Sequence, residues 1–395
     1  MDLARSFDVN NPEFIRNPYP VLAELRAHGK PIWHEEMQIW LAATHADASA
    51  VLRSKTLGRV FTPHEPDDLW ETFNWLHADS IIENEGAKHT RLRTLVSKAF
   101  NRSHIERLAP RIDAIVTELL ERCADQGEFD LLADFAEPLP VRVIAELLGV
   151  SREDEHHLRP WSQAIVKMYE FEVTPEEESQ AEKASREFAA MITDMVEVRK
   201  KNPTDDLVSE LTQVEDSGEK LTLRELIATC VLLLNAGHEA SVNAFGNGFV
   251  ASMQNDKARS LLRTQPRAIS ESAVEEFLRF DAPLQLFERT ALADTEIGSV
   301  TIKRGQKIAA LLGSANRDEK VFNDASSIDL VRNLNNHIAF GGGIHFCLGA
   351  PLARLEMNRS LPALFERFSE ISIRELPEQR ETFVLRGYKK ILVSQ

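Results

Sequence analysis

The chain has 395 residues, with 46 Lys and Arg against 62 Asp and Glu, a formal net charge of -16. A chain this long buries a core without disulfide or metal staples, and its three cysteines, Cys123, Cys230 and Cys347, cannot all pair. This excludes a secreted disulfide scaffold, points to a reducing compartment, and disfavours nucleic acid or an anionic membrane as the partner of the whole molecule.

Residues 1–10 lack the cationic-then-apolar pattern of a signal peptide. Residues 31–52 suggest short strands and turns. Leu108–Cys123 places Ile112, Ile115, Val116, Leu119 and Leu120 at helical spacing, and Val141–Leu148 repeats the pattern until Gly149 stops it. Glu176–Lys201 reads as a long charged helix with Phe188, Met191, Ile192 and Met195 on one face. Thr222–Met253 is longer still and apolar in its middle, as expected of a helix crossing the core. Its most apolar run, Leu226–Gly237, is broken by Thr229 and Asn235 and falls short of the ~18 residues of a membrane span. No membrane association and a cytoplasmic location are expected. Residues 284–313, broken by Gly298 and Gly305, suggest further strands, and Glu381–Val393 a hairpin. No linker or repeat interrupts the chain, so one mainly α domain over residues 1–395, with a small β portion, is expected.

The most informative segment is Phe340-Gly341-Gly342-Gly343-Ile344-His345-Phe346-Cys347-Leu348-Gly349-Ala350-Pro351. Consecutive glycines open turns closed to other residues and let backbone approach a flat ligand. Cys347 falls where an amphipathic helix begins (Leu352, Leu355, Leu361 and Leu364 follow), and Pro351 suits a first turn. The positive end of a helix favours a thiolate, and a thiolate in a backbone cradle is a good axial ligand for haem iron. A phosphate loop would end in Gly-Lys-Ser/Thr, and a zinc site would carry more Cys or His than His345. A buried, inert cysteine is the remaining alternative.

Phe340-x-x-Gly343-x-His345-x-Cys347-x-Gly349 resembles the haem-ligand signature of the cytochrome P-450 superfamily in its soluble bacterial form. Glu276-x-x-Arg279 is similar to the family's Glu-x-x-Arg helix, whose ion pair braces the haem-side core. Viewed alone, the same pair at i and i+3 reads equally as a surface salt bridge. Asp329, Arg332, Asn335–Phe340, Ala315-Asn316-Arg317-Asp318, Phe322 and the opening Phe7-Asp8, Asn11–Phe14 and Pro18-Tyr19-Pro20 extend the resemblance over roughly residues 7–393. It implies a single-domain cytochrome P-450 fold with a long central helix over haem b. Cys347 would be the metal ligand, with Phe340 and Gly349 shaping the loop, and His89, Arg93, Arg289, His337 and His345 would reach the propionates. Relatives carry Asp-Pro-Pro before the first His, where this chain has Asn84-Glu85-Gly86-Ala87-Lys88.

Ala236-Gly237-His238-Glu239-Ala240-Ser241 resembles the family's oxygen-activation motif, with Glu239 as its acid and Ala240 where a Thr is usual. A mid-helix Gly costs about 1 kcal/mol relative to Ala, so Gly237 wants a reason, and small residues here would leave room for a ligand. The Thr hydroxyl normally routes protons, and a methyl group neither donates nor accepts them. Three routes stay open: Ser241 or Asn243 organises water, a substrate polar group serves instead, or coupling is poor. The resemblance implies a monooxygenase acting on an apolar, aromatic-tolerant small organic substrate. A peroxide-driven, coupling or rearrangement enzyme and a non-catalytic haem sensor are the alternatives.

By resemblance the substrate pocket is lined from Phe61–Leu76 (with Trp70, Phe73 and Trp75), Trp161–Phe171, Leu233–Asn243, Leu284–Phe287 and Phe383–Arg386. Arg386 is expected at the surface or on an acidic substrate. Residues 86–108 hold Lys88, Arg91, Arg93, Lys98, Arg102 and Arg107 against Glu106, a net of about +5. The resemblance places this segment on the Cys-ligand side, where a basic patch near Lys88, Arg91, Lys98 and Arg102 would attract an acidic ferredoxin. A solvated helix face is the plainer reading. No reductase domain is visible, so electrons are expected from ferredoxin and ferredoxin reductase.

Overall fold

The computed structural model describes residues 3–170 and 173–395. Ten short strands occur among them: β1 (Ile32–His34), β2 (Ile39–Ala42), β3 (Leu57–Gly58), β4 (Glu128–Asp130), β5 (Phe287–Ala291), β6 (Thr295–Ile297), β7 (Val300–Ile302), β8 (Lys307–Ala310), β9 (Ser372–Ile373) and β10 (Leu392–Ser394). Helices make up most of the rest, as periodicity predicts. The chain divides into two compact units.

The first unit takes residues 1–58, 116–137 and 240–395. Its main sheet has the order β1-β2-β8-β5-β3, with β2 and β8 parallel and the other pairs antiparallel. One face buries Val51, Leu52, Ile302, Ile308 and Leu312. Phe7, Phe14, Leu22, Leu41 and Phe383 form a second cluster, in which Phe383 lies 5.3 Å from Phe7 and 5.1 Å from Phe14, ring to ring. Phe383 is therefore a core residue and not the pocket residue the sequence suggested. The hairpin expected over Glu381–Val393 is present only as a short turn set earlier, where Arg380 N–H donates to Gly387 O at 2.9 Å and Lys389 N–H to Glu378 O at 3.0 Å. β10 pairs instead with β4 and β9, and Tyr388 and Leu385 make isolated bridges to Gln379 and Leu284. Arg386, expected at the surface or on an acidic substrate, is buried instead. It binds Asp281 at 2.8 Å and donates to the carbonyls of Ile15 and Arg16, pinning the tail to distant chain.

The second unit takes residues 59–115 and 138–239. Its longest complete helix, Pro175–Lys201, opens with a capping box between Thr174 and Glu177. Glu176, Glu177 and Glu178 occupy the first turn and Arg199, Lys200 and Lys201 the last, matching the helix dipole at both ends. Helix Glu155–Lys167 packs on it, with Trp161 stacked 5.5 Å from Phe188. Glu182 accepts from the backbone N–H groups of Thr72 and Phe73 at 3.3 and 2.8 Å, so it caps helix Glu71–Ala78 across space. Within that helix Phe73 stacks on His77 at 4.0 Å and meets Trp70 at 5.3 Å, edge to face. Trp70 and Phe73 are thus packed into the unit, while Trp75 lies under the Arg224 guanidinium at 5.1 Å. Phe171, an expected pocket residue, lies outside the described residues.

Helix Leu223–Met253 supplies residues to both units. No helix among the described residues is long and apolar enough to cross a membrane.

Candidate active site around Cys347

The glycine loop is shaped by backbone geometry. Gly341 and Gly343 have φ of +74° and +67°. A Cβ on Gly343 would lie 2.4 Å from the carbonyl oxygen of Leu52, on helix His45–Arg53, so no side chain fits there. The loop closes when Cys347 N–H donates to the Phe340 carbonyl at 2.9 Å. Helix Ala350–Arg367 begins three residues after the cysteine, with Gly349 as N-cap and Pro351 in its first turn. Cys347 is half-buried, unlike the fully buried Cys123 and Cys230, whose thiols burial pushes up to about 11 and about 12. The inert-cysteine reading fits those two residues and not Cys347.

A cation belongs to this loop that the sequence did not flag. Arg354, on the helix after Cys347, holds Glu275 through Nε at 2.6 Å and Nη2 at 2.8 Å. Its guanidinium covers the Phe340 ring at 4.5 Å, and its charge interacts with Cys347. A nearby guanidinium stabilises a thiolate. Burial acts to raise the Glu275 carboxyl, but hydrogen bonds from Arg354 and His337 hold it at about 2. The available signal was adjacency: Glu275 directly precedes Glu276 of the bracing pair.

That pair is buried. Glu276 and Arg279 are both fully inaccessible, with Nε and Nη2 of the arginine each 2.7 Å from a carboxylate oxygen. The carboxylate also accepts from Asp329 N–H (2.8 Å), Arg332 Nε (3.0 Å) and Asn335 Nδ2 (3.1 Å). The surface salt-bridge reading is therefore excluded. Glu276 gathers the segment leading into the Cys347 loop onto helix Pro266–Phe280.

The expected cofactor residues distribute as follows. Phe340, His345, Cys347 and Gly349 lie on the loop, and Arg289 lies buried on β5, whose first residue, Phe287, approaches Gly341. His89, buried, and Arg93, half-buried, sit at i and i+4 on helix Gly86–Ala99 in the second unit. His337 departs from its expected role. Its Nε2 pairs with Glu275 at 3.0 Å and its Nδ1 faces Ala339 N–H at 3.2 Å, so both ring nitrogens are engaged and none remains for a propionate. The loop suits a haem: it offers one accessible sulfur, a run of three glycines free of side chains and a cation whose charge acts on the cysteine.

On helix Leu223–Met253, buried residues surround one more open stripe formed by Leu233, Ala236, Gly237, Ala240 and Ser241. Gly237 has a packing reason. A Cβ there would meet Ile144 Cδ1 at 2.6 Å, so the room for a ligand comes from Ala236 and Ala240. Glu239 is buried. Asn243 is 1% exposed, and neither amide atom has a hydrogen-bond partner among the described residues. Gly387 admits it, since a Cβ there would lie 2.1 Å from Asn243 Oδ1.

The basic segment does not present the charge its composition implied. Lys88 binds Asp79 at 3.0 Å, Lys98 binds Asp216 at 2.6 Å and Arg107 binds Asp205 at 3.4 Å. Arg91 pairs with Glu225 and reaches Glu219 at 3.5 Å. Arg102 pairs with Glu106 at 2.7 Å and stays 88% exposed. Acids distant in sequence neutralise most of the patch.

Comparison with known proteins agrees with this geometry. The family model described as Cytochrome P450 matches residues 32–393. The chain is 36% identical to 6-deoxyerythronolide B hydroxylase of Saccharopolyspora erythraea, covering 93% of this chain and 92% of that enzyme. It is 34% identical to vitamin D(3) 25-hydroxylase of Pseudonocardia autotrophica, covering 98% and 96%. The solved structure of the bacillaene polyketide synthase enzyme PksS from Bacillus subtilis superposes with a TM-score of 0.89 at 34% identity, over 98% of this chain and 99% of that one.

Proposed function

The chain belongs to the cytochrome P450 family and is an oxidoreductase of the haem-thiolate monooxygenase class, and on that premise we propose how its own residues serve the reaction. Cys347 would hold a haem b through its thiolate. The observation that carries this is the Cys347 loop, where a side-chain-free backbone turn and the Arg354 cation surround the one half-buried cysteine. When bound, haem supplies oxygen activation, with the thiolate donating electron density. His89, Arg93, Arg289 and His345 hold the propionates. His337 instead fixes Glu275, and through it Arg354. Residues 1–395 act as one catalytic domain in the cytoplasm.

Ala236 and Ala240 leave space on helix Leu223–Met253 for an apolar organic substrate, as relatives named for hydroxylating 6-deoxyerythronolide B and vitamin D(3) suggest. Ala240 cannot move a proton, so Asn243 does the positioning. Its unpartnered amide holds a water one turn below Glu239. Electrons come from ferredoxin and ferredoxin reductase, which dock elsewhere than on the neutralised segment around Lys88, Arg91 and Lys98.

The test is direct. Cys347→Ser should abolish the red-shifted carbon-monoxide band of the reduced protein, and retention of that band would refute thiolate ligation by Cys347. Asn243→Leu should lower product formed per NADH consumed, and Ala240→Thr in that background should restore it. Unchanged coupling in both would refute proton positioning by Asn243. A screen for substrate-induced spin-state shifts would identify the substrate.

A further inference from the structure

The first unit contains a cleft that the Cys347 loop does not line. It has a volume of about 290 Å³ and opens beside helix Tyr19–His28, with Arg317 and Tyr19 among its lining residues. The Arg317 guanidinium is clamped flat, with its carbon 3.4 Å from the centre of the Tyr19 ring and 3.9 Å from that of Phe280. Its Nε donates to the Phe280 carbonyl at 2.7 Å. Its two Nη groups have no hydrogen-bond acceptor, and no carboxylate stands within ion-pair distance, among the described residues.

Its neighbours are all compensated. Arg386 pairs with Asp281, which also accepts from the Tyr19 hydroxyl. Arg279 pairs with Glu276. Arg26 pairs with Glu319 at 3.0 Å. Among the charged residues that line the cleft, Arg26 and Glu319 pair with each other, which leaves Arg317 with no acid in contact in a chain whose total is -16. Burial pushes the Arg317 pKa down, and the charge of Asp281, already paired with Arg386, opposes that only in part.

We propose that this cleft binds a short-chain carboxylate through Arg317. A guanidinium held between two aromatic faces can donate only in its own plane, and the two oxygens of a carboxylate match that edge with parallel N–H···O bonds. Asn17 and Ser326 provide neutral polar groups on the wall, and Pro20 and Ala23 an apolar surface for the alkyl end. One unmatched positive charge selects a monoanion.

The holoenzyme tests this by thermal unfolding in sodium acetate, sodium butyrate, phosphate or chloride at matched ionic strength. Butyrate and acetate should raise the wild-type midpoint saturably, by about 1–2 °C at tenfold excess over Kd. Phosphate and chloride should not. Arg317→Met should remove the carboxylate-specific rise. Ala23→Glu, which keeps Arg317 and supplies a tethered carboxylate from the cleft wall, should remove it as well and decides the matter if Arg317→Met does not fold. Equal carboxylate rises in wild type and Ala23→Glu, or no rise in wild type, would overturn the proposal, and a larger rise with phosphate would assign the cleft to tetrahedral anions instead.

Discussion

Arg279→Lys keeps the charge of the buried brace and should still be strongly destabilising. All five guanidinium N–H groups are used. Nε and one Nη2 hydrogen bind the two Glu276 oxygens at 2.7 Å each, Nη1 binds the carbonyls of Asn316 (2.9 Å) and Ala325 (2.8 Å), and Nη2 also reaches Ser327 O at 3.0 Å. A lysine offers three donors from one nitrogen, so at least two acceptors lose their partner. Ser327 O retains Arg332 Nη2 at 3.2 Å, which softens one loss. At ~1–3 kcal/mol per buried unsatisfied group the expected cost is about 2–4 kcal/mol. That is a large part of a typical 5–15 kcal/mol stability. Urea denaturation followed by far-ultraviolet circular dichroism measures it. Glu276→Gln, which leaves Arg279 and Arg332 facing each other without an anion, should cost about 3–5 kcal/mol, and the double substitution should cost less than the sum. A loss below about 1 kcal/mol for Arg279→Lys, the range of an exposed pair, would refute the reading that this brace is a fully satisfied buried network.

Glu356, 3% exposed on helix Ala350–Arg367, is pushed up to about 8 by burial alone. The folded state then holds a proton that the unfolded state releases above about 4.5, so wild-type stability falls as pH rises from about 4.5 to about 8. Glu356→Gln should match wild type at the acid end of that window and exceed it increasingly towards the alkaline end, in urea titrations at several pH values. Glu275 carries the opposite sign. Held at about 2, it contributes stability above its usual 4.5 that is lost as pH falls between them. Glu275→Gln should therefore lower stability at neutral pH and converge on wild type under strong acid. Arg91→Ala should destabilise by about 1–3 kcal/mol, because it strips the buried Glu225 carboxylate of its cation. Its ferredoxin-driven turnover should keep the wild-type salt dependence, which stopped-flow reduction would check.

What the sequence made legible was whatever is decided within one turn or one loop. Helices Pro138–Leu148, Pro175–Lys201 and Leu223–Met253 follow from apolar spacing and stop signals such as Gly149, whose φ is +79°. The Cys347 loop was legible because its glycine run marks a position, Gly343, where no Cβ fits, and because only one cysteine stood before a helix start. Burial of charge was not legible. Glu276 and Arg279 read the same on paper whether they face water or the core, and what decides is the later segment holding Asp329, Arg332 and Asn335. The His337–Glu275–Arg354 cluster joins side chains 62 and 79 positions apart, beyond any local pattern. The end of the tail was misplaced for a related reason: the hairpin closes at Gln379 and Tyr388, while Val393 pairs with β4 and β9, which lie outside the expected hairpin.

Charge shows the same limit from the other side. Counting along residues 86–108 gives about +5, yet Asp79, Asp205, Asp216, Glu219 and Glu225 all come from outside that stretch to meet it. In a chain with a surplus of acids, a run of bases folds onto the surplus, because each pairing relieves repulsion among the acids as well as satisfying a base. A basic run in such a chain is therefore weak grounds for a docking face. The informative cation is one that the same surplus fails to reach. Arg317 stands among Arg26, Arg279 and Arg386, each of which has an acid, and is itself clamped between two rings with its Nη edge unclaimed. The carboxylates nearest to it, Asp281 and Glu319, are taken by Arg386 and Arg26, which leaves a planar cation with an open edge, the requirements for an anion arriving from solution.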